Sequence, residues 1–184
     1  MKFISFDIGI KNLGYCIIEL IDNNKIKILE WDIINLCKDN EKTKKISIFT
    51  LCSRLMYELE TRFIDPTIIP VIENQPVLKN PKMKSIQMMV YTYFVLIGVQ
   101  NIHLFSPRNK LEVYTGPPVE CHLKSKYSRR KFLSVKYTLY IIRNIPEYIS
   151  IIDKLKKKDD LADALLQILT FLKKKHKIED IQVI

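Results

Sequence analysis

Glycine is scarce. Gly9, Gly14, Gly98 and Gly116 are the four glycines of a 184-residue chain, too few for the successive Gly-rich loops on which nucleotide-binding folds cradle phosphates. Cysteine is sparse as well. Cys16, Cys37, Cys52 and Cys121 contain no C-x-x-C pair, and with His103, His122 and His176 they make no set at zinc-ligand spacing. Reduced thiols in a cytosolic compartment are the simplest reading. Long apolar runs are missing too. The longest, Met88 to Val99, is too short to cross a bilayer, and Asp7 falls where the apolar core of a secretory leader would lie. A soluble protein is expected. With no internal repeat in view, the expectation is one domain over 1–184, with a loosely held tail from about residue 174.

What the chain has in plenty is positive charge. Lys and Arg number 30 against 20 Asp and Glu, a formal net charge of +10. Such an excess suits a polyanionic partner, nucleic acid first among them, although Lys-rich surfaces also follow from AT-rich coding.

The hydrophobic pattern predicts a mixed sheet. Residues 3–8 and Tyr15 to Leu20 read as strands joined by the turn Lys11-Asn12-Leu13-Gly14, and Ile26 to Ile33 alternates as a third. Ile48, Cys52, Leu55, Leu59 and Phe63 recur at helical spacing. Val71-Ile72, ending at Glu73, follows as a buried strand; it is entered through a helical crossover and so runs parallel to the first. Ser85 to Val99 is an apolar helix, Ile102 to Phe105 a fifth strand, and Pro107 to Tyr127 a long loop of the kind that usually carries function. Helices are expected over about 128–143 and 159–174. The fold class is therefore α/β (α+β), a five-stranded mixed sheet flanked by helices.

Four acids stand out by position. Asp7 lies inside the first strand and Glu73 ends the fourth. Asp160 and Asp163, three apart at the start of the last helix, share a face. A right-handed crossover makes the first and fourth strands neighbours, which sets Asp7 beside Glu73. Carboxylates that close repel one another unless cations or shared protons intervene. Oxygen-only sites suit Mg2+ or Mn2+, and two such ions about 4 Å apart clamp both oxygens of a phosphodiester displacement. Each acid has a plainer explanation: a turn contact for Asp7, a lysine pair for Glu73, and a helix N-terminus for Asp160 and Asp163. All four together in a basic chain are harder to dismiss.

The stretches "FDIGIKNLGY", "VIENQP" and "KKDDLADALL" resemble, in order and spacing, the motifs of RuvC-type Holliday junction resolvases. The short length, the Ile- and Lys-rich composition and the "IENQ" variant look most like the poxvirus branch of that family, with an avian poxvirus as a candidate source. The resemblance implies a ribonuclease H-like fold. It also implies a metal-dependent crossover junction endonuclease, a homodimer that nicks four-way and branched DNA symmetrically. In a poxvirus it would resolve genome concatemers in the host cytoplasm. By motif match Asp7, Glu73, Asp160 and Asp163 would bind two Mg2+ or Mn2+ ions, with Asp159 a close competitor of Asp160. The segment "TGPPVECHLKSKYSRRK" departs from the Gly-rich stretch of bacterial members. Lys131 is therefore assigned as the family's assisting lysine, with Lys124 and Lys126 as rivals.

Lys124, Lys126, Arg129 and Arg130 head a basic stretch that precedes the catalytic helix and is expected to bind DNA phosphates. Nothing encodes base readout, so branched shape is the expected determinant. The apolar segment Met83 to Val99 is either an ordinary core helix or the dimer seam. An actin-like ATPase also opens on a strand-Asp-x-Gly turn, but it needs further Gly-rich loops and two lobes; no nucleotide cofactor is expected. A non-catalytic DNA-binding module would suffer from four acids facing DNA, and a nuclease for RNA–DNA hybrids or flaps would share the same machinery.

Overall fold

In the computed structural model, which describes residues 1–78 and 80–184, the first strand is a central one. β1 (Lys2–Asp7) is buried at every position after Lys2, as a strand covered on both faces must be. β2 (Leu13–Leu20) pairs with it antiparallel, and β3 (Lys25–Ile34) pairs with β2 across a register shift at Ile17/Ile18. A crossover through α1 (Ile48–Arg62) brings β4 (Ile69–Glu73) parallel to β1, with Phe6 opposite Ile72. α2 (Pro81–Leu96) then leads to β5 (His103–Phe105), parallel to β4.

The sheet order is β5-β4-β1-β2-β3-β6. It has six strands where the sequence suggests five. The sixth, β6 (Gln182–Val183), pairs parallel with Lys25 and Ile26 at the β3 edge. Beyond α5, Ile178 is buried as well. A two-residue strand carries too little pattern to be read in advance.

Helices cover both faces. Ile4, Phe6 and Ile72 pack with α1 and α2 on one side. On the other, Phe3, Cys16, Ile18 and Val71 meet α5 (Asp159–Lys175). Caps set the helix starts: the Ser47 hydroxyl accepts from Thr50 N at 3.0 Å, and Asn80 precedes Pro81 at the opening of α2. α3 (Lys126–Ile141) and α5 fall where the periodicity predicts them, and α4 (Pro146–Asp153) is an additional short helix started by the proline between them. Among the described residues no helix is long and apolar enough to cross a membrane.

α5 is buried along most of its length, and it is fastened to the sheet by polar bonds as well as by apolar contact. The Ser5 hydroxyl donates to Ala164 O, and Trp31 Nε1 donates to Leu161 O at 3.0 Å. Gln167, fully buried, donates through Nε2 to Phe6 O at 3.1 Å and Val71 O at 2.9 Å. The latter two bonds tie together the strands that carry Asp7 and Glu73.

Candidate active site

The parallel register of β1 and β4 brings Asp7 and Glu73 to adjacent strand ends, both buried. Asp163, one turn into α5, reaches the same place from the neighbouring layer. At the centre lies a residue that sequence reasoning did not assign to the site, Lys110, only 2% exposed. Lys110 Nζ donates to Asp7 Oδ1, lies 3.3 Å from Glu73 Oε1 and 3.7 Å from Asp163 Oδ2.

Two of the three carboxylates are also held from outside. Glu73 Oε2 accepts from Ile8 N at 3.2 Å and from Gln75 Nε2 at 2.6 Å. Asp163 Oδ1 accepts from the Ser134 hydroxyl on α3. Lys110 sits on a 3-10 helix (Pro107–Val113) inside the expected loop, and its carbonyl accepts from Thr170 Oγ1 at 3.0 Å. The start signal of that helix, Ser106 followed by Pro107, was present in the sequence. What the sequence could not show was that the third residue after Pro107 points inward.

Burial pushes the Asp7 carboxyl well above the ordinary carboxylate range; Glu73 and Asp163 add to the push and Lys110 opposes it. For Lys110 burial disfavours the charged form, but Asp7, Glu73 and Asp163 together outweigh it and hold the ammonium above the usual lysine range. The surrounding acids thus favour the charged form of Lys110.

The other predicted residues lie on the flanks. Asp160 accepts from Asn12 Nδ2 at 2.8 Å and faces Lys157 at 3.8 Å. Burial raises its carboxyl, with Asp159 adding to the effect. Lys131, the expected assisting lysine, pairs with Asp159 and lies 5.0 Å from the centroid of the Tyr127 ring. The lysine set among the carboxylates is Lys110 and not Lys131, because α3 delivers residue 131 to Asp159 in the first turn of α5, while the 3-10 helix, held to α5 through Thr170, sends the Lys110 side chain to Asp7 and Glu73. Lys124, Lys126 and Arg129 are exposed at the start of α3. Arg130 is half-buried and donates to Pro107 O, so it also ties α3 to the helix that carries Lys110.

Among the described residues no three His, Cys, Asp or Glu side chains form a ready-made metal centre; Asp7, Glu73 and Asp163 instead face one ammonium. The donor chemistry nevertheless fits a hard divalent ion. Apart from the Lys110 ammonium, which has no lone pair to donate, the converging groups are all carboxylates, with no sulfur or imidazole donor among them.

Comparison with solved structures places this fold among known ones. The fowlpox virus Holliday junction resolvase superposes with a TM-score of 0.63 at 21% identity, covering 94% of this chain and 98% of that one. The yeast mitochondrial Holliday junction resolvase Ydc2 matches with 0.63 at 19% identity over 92% of this chain and 78% of its own. Thermus thermophilus RuvC, solved in complex with a Holliday junction substrate, matches with 0.55 at 18% identity over 92% of each. The ribonuclease H-like fold expected from the motifs is the fold observed. A protein of Acanthamoeba polyphaga mimivirus described as uncharacterized protein L451 is 38% identical over 111 residues. That match takes in 53% of this chain and 27% of the relative, so the chain corresponds to about a quarter of that protein's length. The family model described as poxvirus A22 protein matches residues 1–175, and the chain belongs to that family.

Proposed function

We propose that this protein is a divalent-metal-dependent endonuclease that resolves four-way and branched DNA junctions by paired nicks as a homodimer. Its place would be in separating concatemeric viral genomes in the host cytoplasm. The observation that carries the reading is the convergence of Asp7, Glu73 and Asp163, from two parallel strand ends and one helix, on a single cationic head. A basic helix start stands alongside. Structural likeness to resolvases from fowlpox virus, yeast mitochondria and Thermus thermophilus supports the choice of substrate.

Asp7, Glu73 and Asp163 would hold Mg2+ or Mn2+, two ions per site if Asp160 exchanges Asn12 for metal. Bound there, the metal supplies water activation and charge neutralisation at the scissile phosphate. The protein does the remainder. The Ile8 N–H and the Gln75 amide fix the Glu73 carboxylate, and Ser134 fixes Asp163, so the oxygens are set before substrate arrives. Lys110 and Lys131 contribute positive charge near the phosphate being cut, which would leave a 5′ phosphate and a 3′ hydroxyl. Lys124, Lys126, Arg129 and Arg130 grip the flanking backbone.

Labelled four-way junction, linear duplex and RNA–DNA hybrid, each incubated with protein in Mg2+ or EDTA, test this reading. Junction cutting in Mg2+ that stops in EDTA and is weak on duplex is expected. Preferred cutting of the hybrid would point to a different nuclease of the same fold, and tight binding without cutting to a non-catalytic module.

A further inference from the structure

We infer that Lys110 is a resident competitor of the catalytic metal: its ammonium and a divalent cation occupy the same carboxylate nest in turn. The inference rests on the reading of Asp7, Glu73 and Asp163 as metal ligands, and it concerns what the protein's own lysine does there.

The geometry leaves little choice. Lys110 Nζ bonds Asp7 Oδ1 and has Glu73 Oε1 at 3.3 Å and Asp163 Oδ2 at 3.7 Å. A magnesium ion takes its oxygens at about 2.1 Å. An ion bound to these oxygens would therefore overlap the ammonium or be pressed against a like charge with no water between them. Both cations cannot hold the nest together.

The lysine is built so that its head can leave while its backbone stays. Thr170 Oγ1 on α5 fixes the Lys110 carbonyl at 3.0 Å, and Arg130 donates to Pro107 O at the start of the same 3-10 helix. Only the four-carbon stem has to swing, and lysine stems are flexible. The nest favours a better cation for a second reason. Three carboxylates face one ammonium, so the anionic side is in excess and a divalent ion satisfies it more fully. Until that ion arrives, Lys110 keeps buried Asp7 and Glu73 from repelling each other apart. Once displaced, it becomes a free cation at the edge of the site where a phosphate would lie.

A structural role alone makes the opposite prediction. If Lys110 merely holds the ligands in place, its removal would scatter them and weaken metal binding. If it competes, removal should tighten binding. The test is Mn2+ affinity of the full-length protein without DNA, measured by calorimetry and by the free-Mn2+ electron paramagnetic resonance signal, for wild type and Lys110→Met. Affinity that rises roughly tenfold or more, the scale of a lost charge-assisted hydrogen bond, supports competition. Equal or weaker binding by the variant, with wild type binding normally, overturns it while leaving the metal-nuclease reading intact. No Mn2+ uptake by either protein overturns both.

A second measurement needs no variant. Reductive methylation of the wild-type protein, read by mass spectrometry of the Lys110 peptide, should be slow without metal and faster with saturating Mg2+. A rate that is unchanged or lower with Mg2+ overturns the inference even if Lys110→Met fails to fold.

Discussion

Gly14 makes room for Asp160. A Cβ placed on Gly14 would lie 2.5 Å from the Asp160 carbonyl oxygen and 3.0 Å from its carbon, both rigid backbone atoms of the first turn of α5. Gly14 is also the β2 partner of Asp7 in the antiparallel register. One missing methyl group therefore lets the helix that carries Asp160 and Asp163 settle beside the strand that carries Asp7. Gly14→Ala should push the start of α5 outward, costing about 1–3 kcal/mol as an overpacked core position does. A denaturant midpoint that falls, together with a larger loss of cleavage than of junction binding, is the expected result. An unchanged midpoint would show that the helix end can shift without cost.

Asp7→Asn should abolish cleavage and preserve junction binding. The amide keeps the shape of the side chain but is a poor ligand for a hard cation, while the basic surface that binds phosphates is untouched. Gel shifts on a four-way junction in Ca2+, paired with cleavage assays in Mg2+, separate the two effects. Normal cleavage would remove Asp7 from the mechanism.

The central sheet was legible because its strands are marked in two ways, by apolar runs and by the acids that interrupt them. The run before Asp7, and Val71-Ile72 before Glu73, predict two buried strands, and a helical crossover between them predicts that they are parallel. The spacing of Asp160 and Asp163 likewise predicts a shared helix face, although only Asp163 turns to Lys110 and Asp160 turns to Asn12. Lys110 was not legible because it stands in a stretch that reads as loop, with Arg108 nearby and no periodicity to give it a direction. Its partners are remote in sequence: Thr170, sixty positions away, bonds its carbonyl, and Asp7, Glu73 and Asp163 surround its ammonium. Long-range contacts of that kind leave no trace in local pattern. The sixth strand escaped for the same reason, since two residues can be a strand only if an edge is waiting for them.

Lys131→Ala should act more on stability than on chemistry. Lys131 pairs with Asp159, whose side chain is mostly buried, and burial of the lysine is offset chiefly by that bond, which holds its ammonium above the usual lysine range. Its loss leaves Asp159 without that partner at the start of α5, a cost of about 1–3 kcal/mol. Single-turnover rates for Lys131→Ala should fall, but less than those for Lys110→Ala. A normal rate for Lys131→Ala would assign the assisting role to Lys110 alone.

Gln167 offers a test of how β1 and β4 are held to each other. Its Nε2 donates to carbonyls of both, one residue before Asp7 and two before Glu73, and its Oε1 has no hydrogen-bond partner among the described residues. Gln167→Leu loses two bonds but also removes a buried orphan acceptor, so the net cost should be only about 1 kcal/mol. Gln167→Glu should be far worse, because it places a carboxylate against two carbonyl oxygens with no donor to offer them when ionised. Thermal melts of the two variants should rank Leu above Glu. The reverse order would mean that the Gln167 amide is not what bridges β1 and β4.

The outer face of α2 bears on the paired-nick model. Ile86, Val90 and Phe94 turn inward to the core, while Met88, Val95 and Leu96 remain exposed, Leu96 by 77%. If the protein pairs with a second copy as proposed, this apolar strip is where the seam would lie. Light scattering at micromolar concentration should then give the mass of a dimer. Leu96→Lys should give a monomer, because a desolvated charge on a two-fold seam meets its own copy. Its monomer fold should be unaffected, as the position is largely solvent-exposed within one chain. The variant should then cut a cruciform plasmid to a nicked circle and not to the linear product that two coordinated nicks yield. A wild-type protein that scatters as a monomer and still linearises the cruciform would remove the need for two sites in one complex.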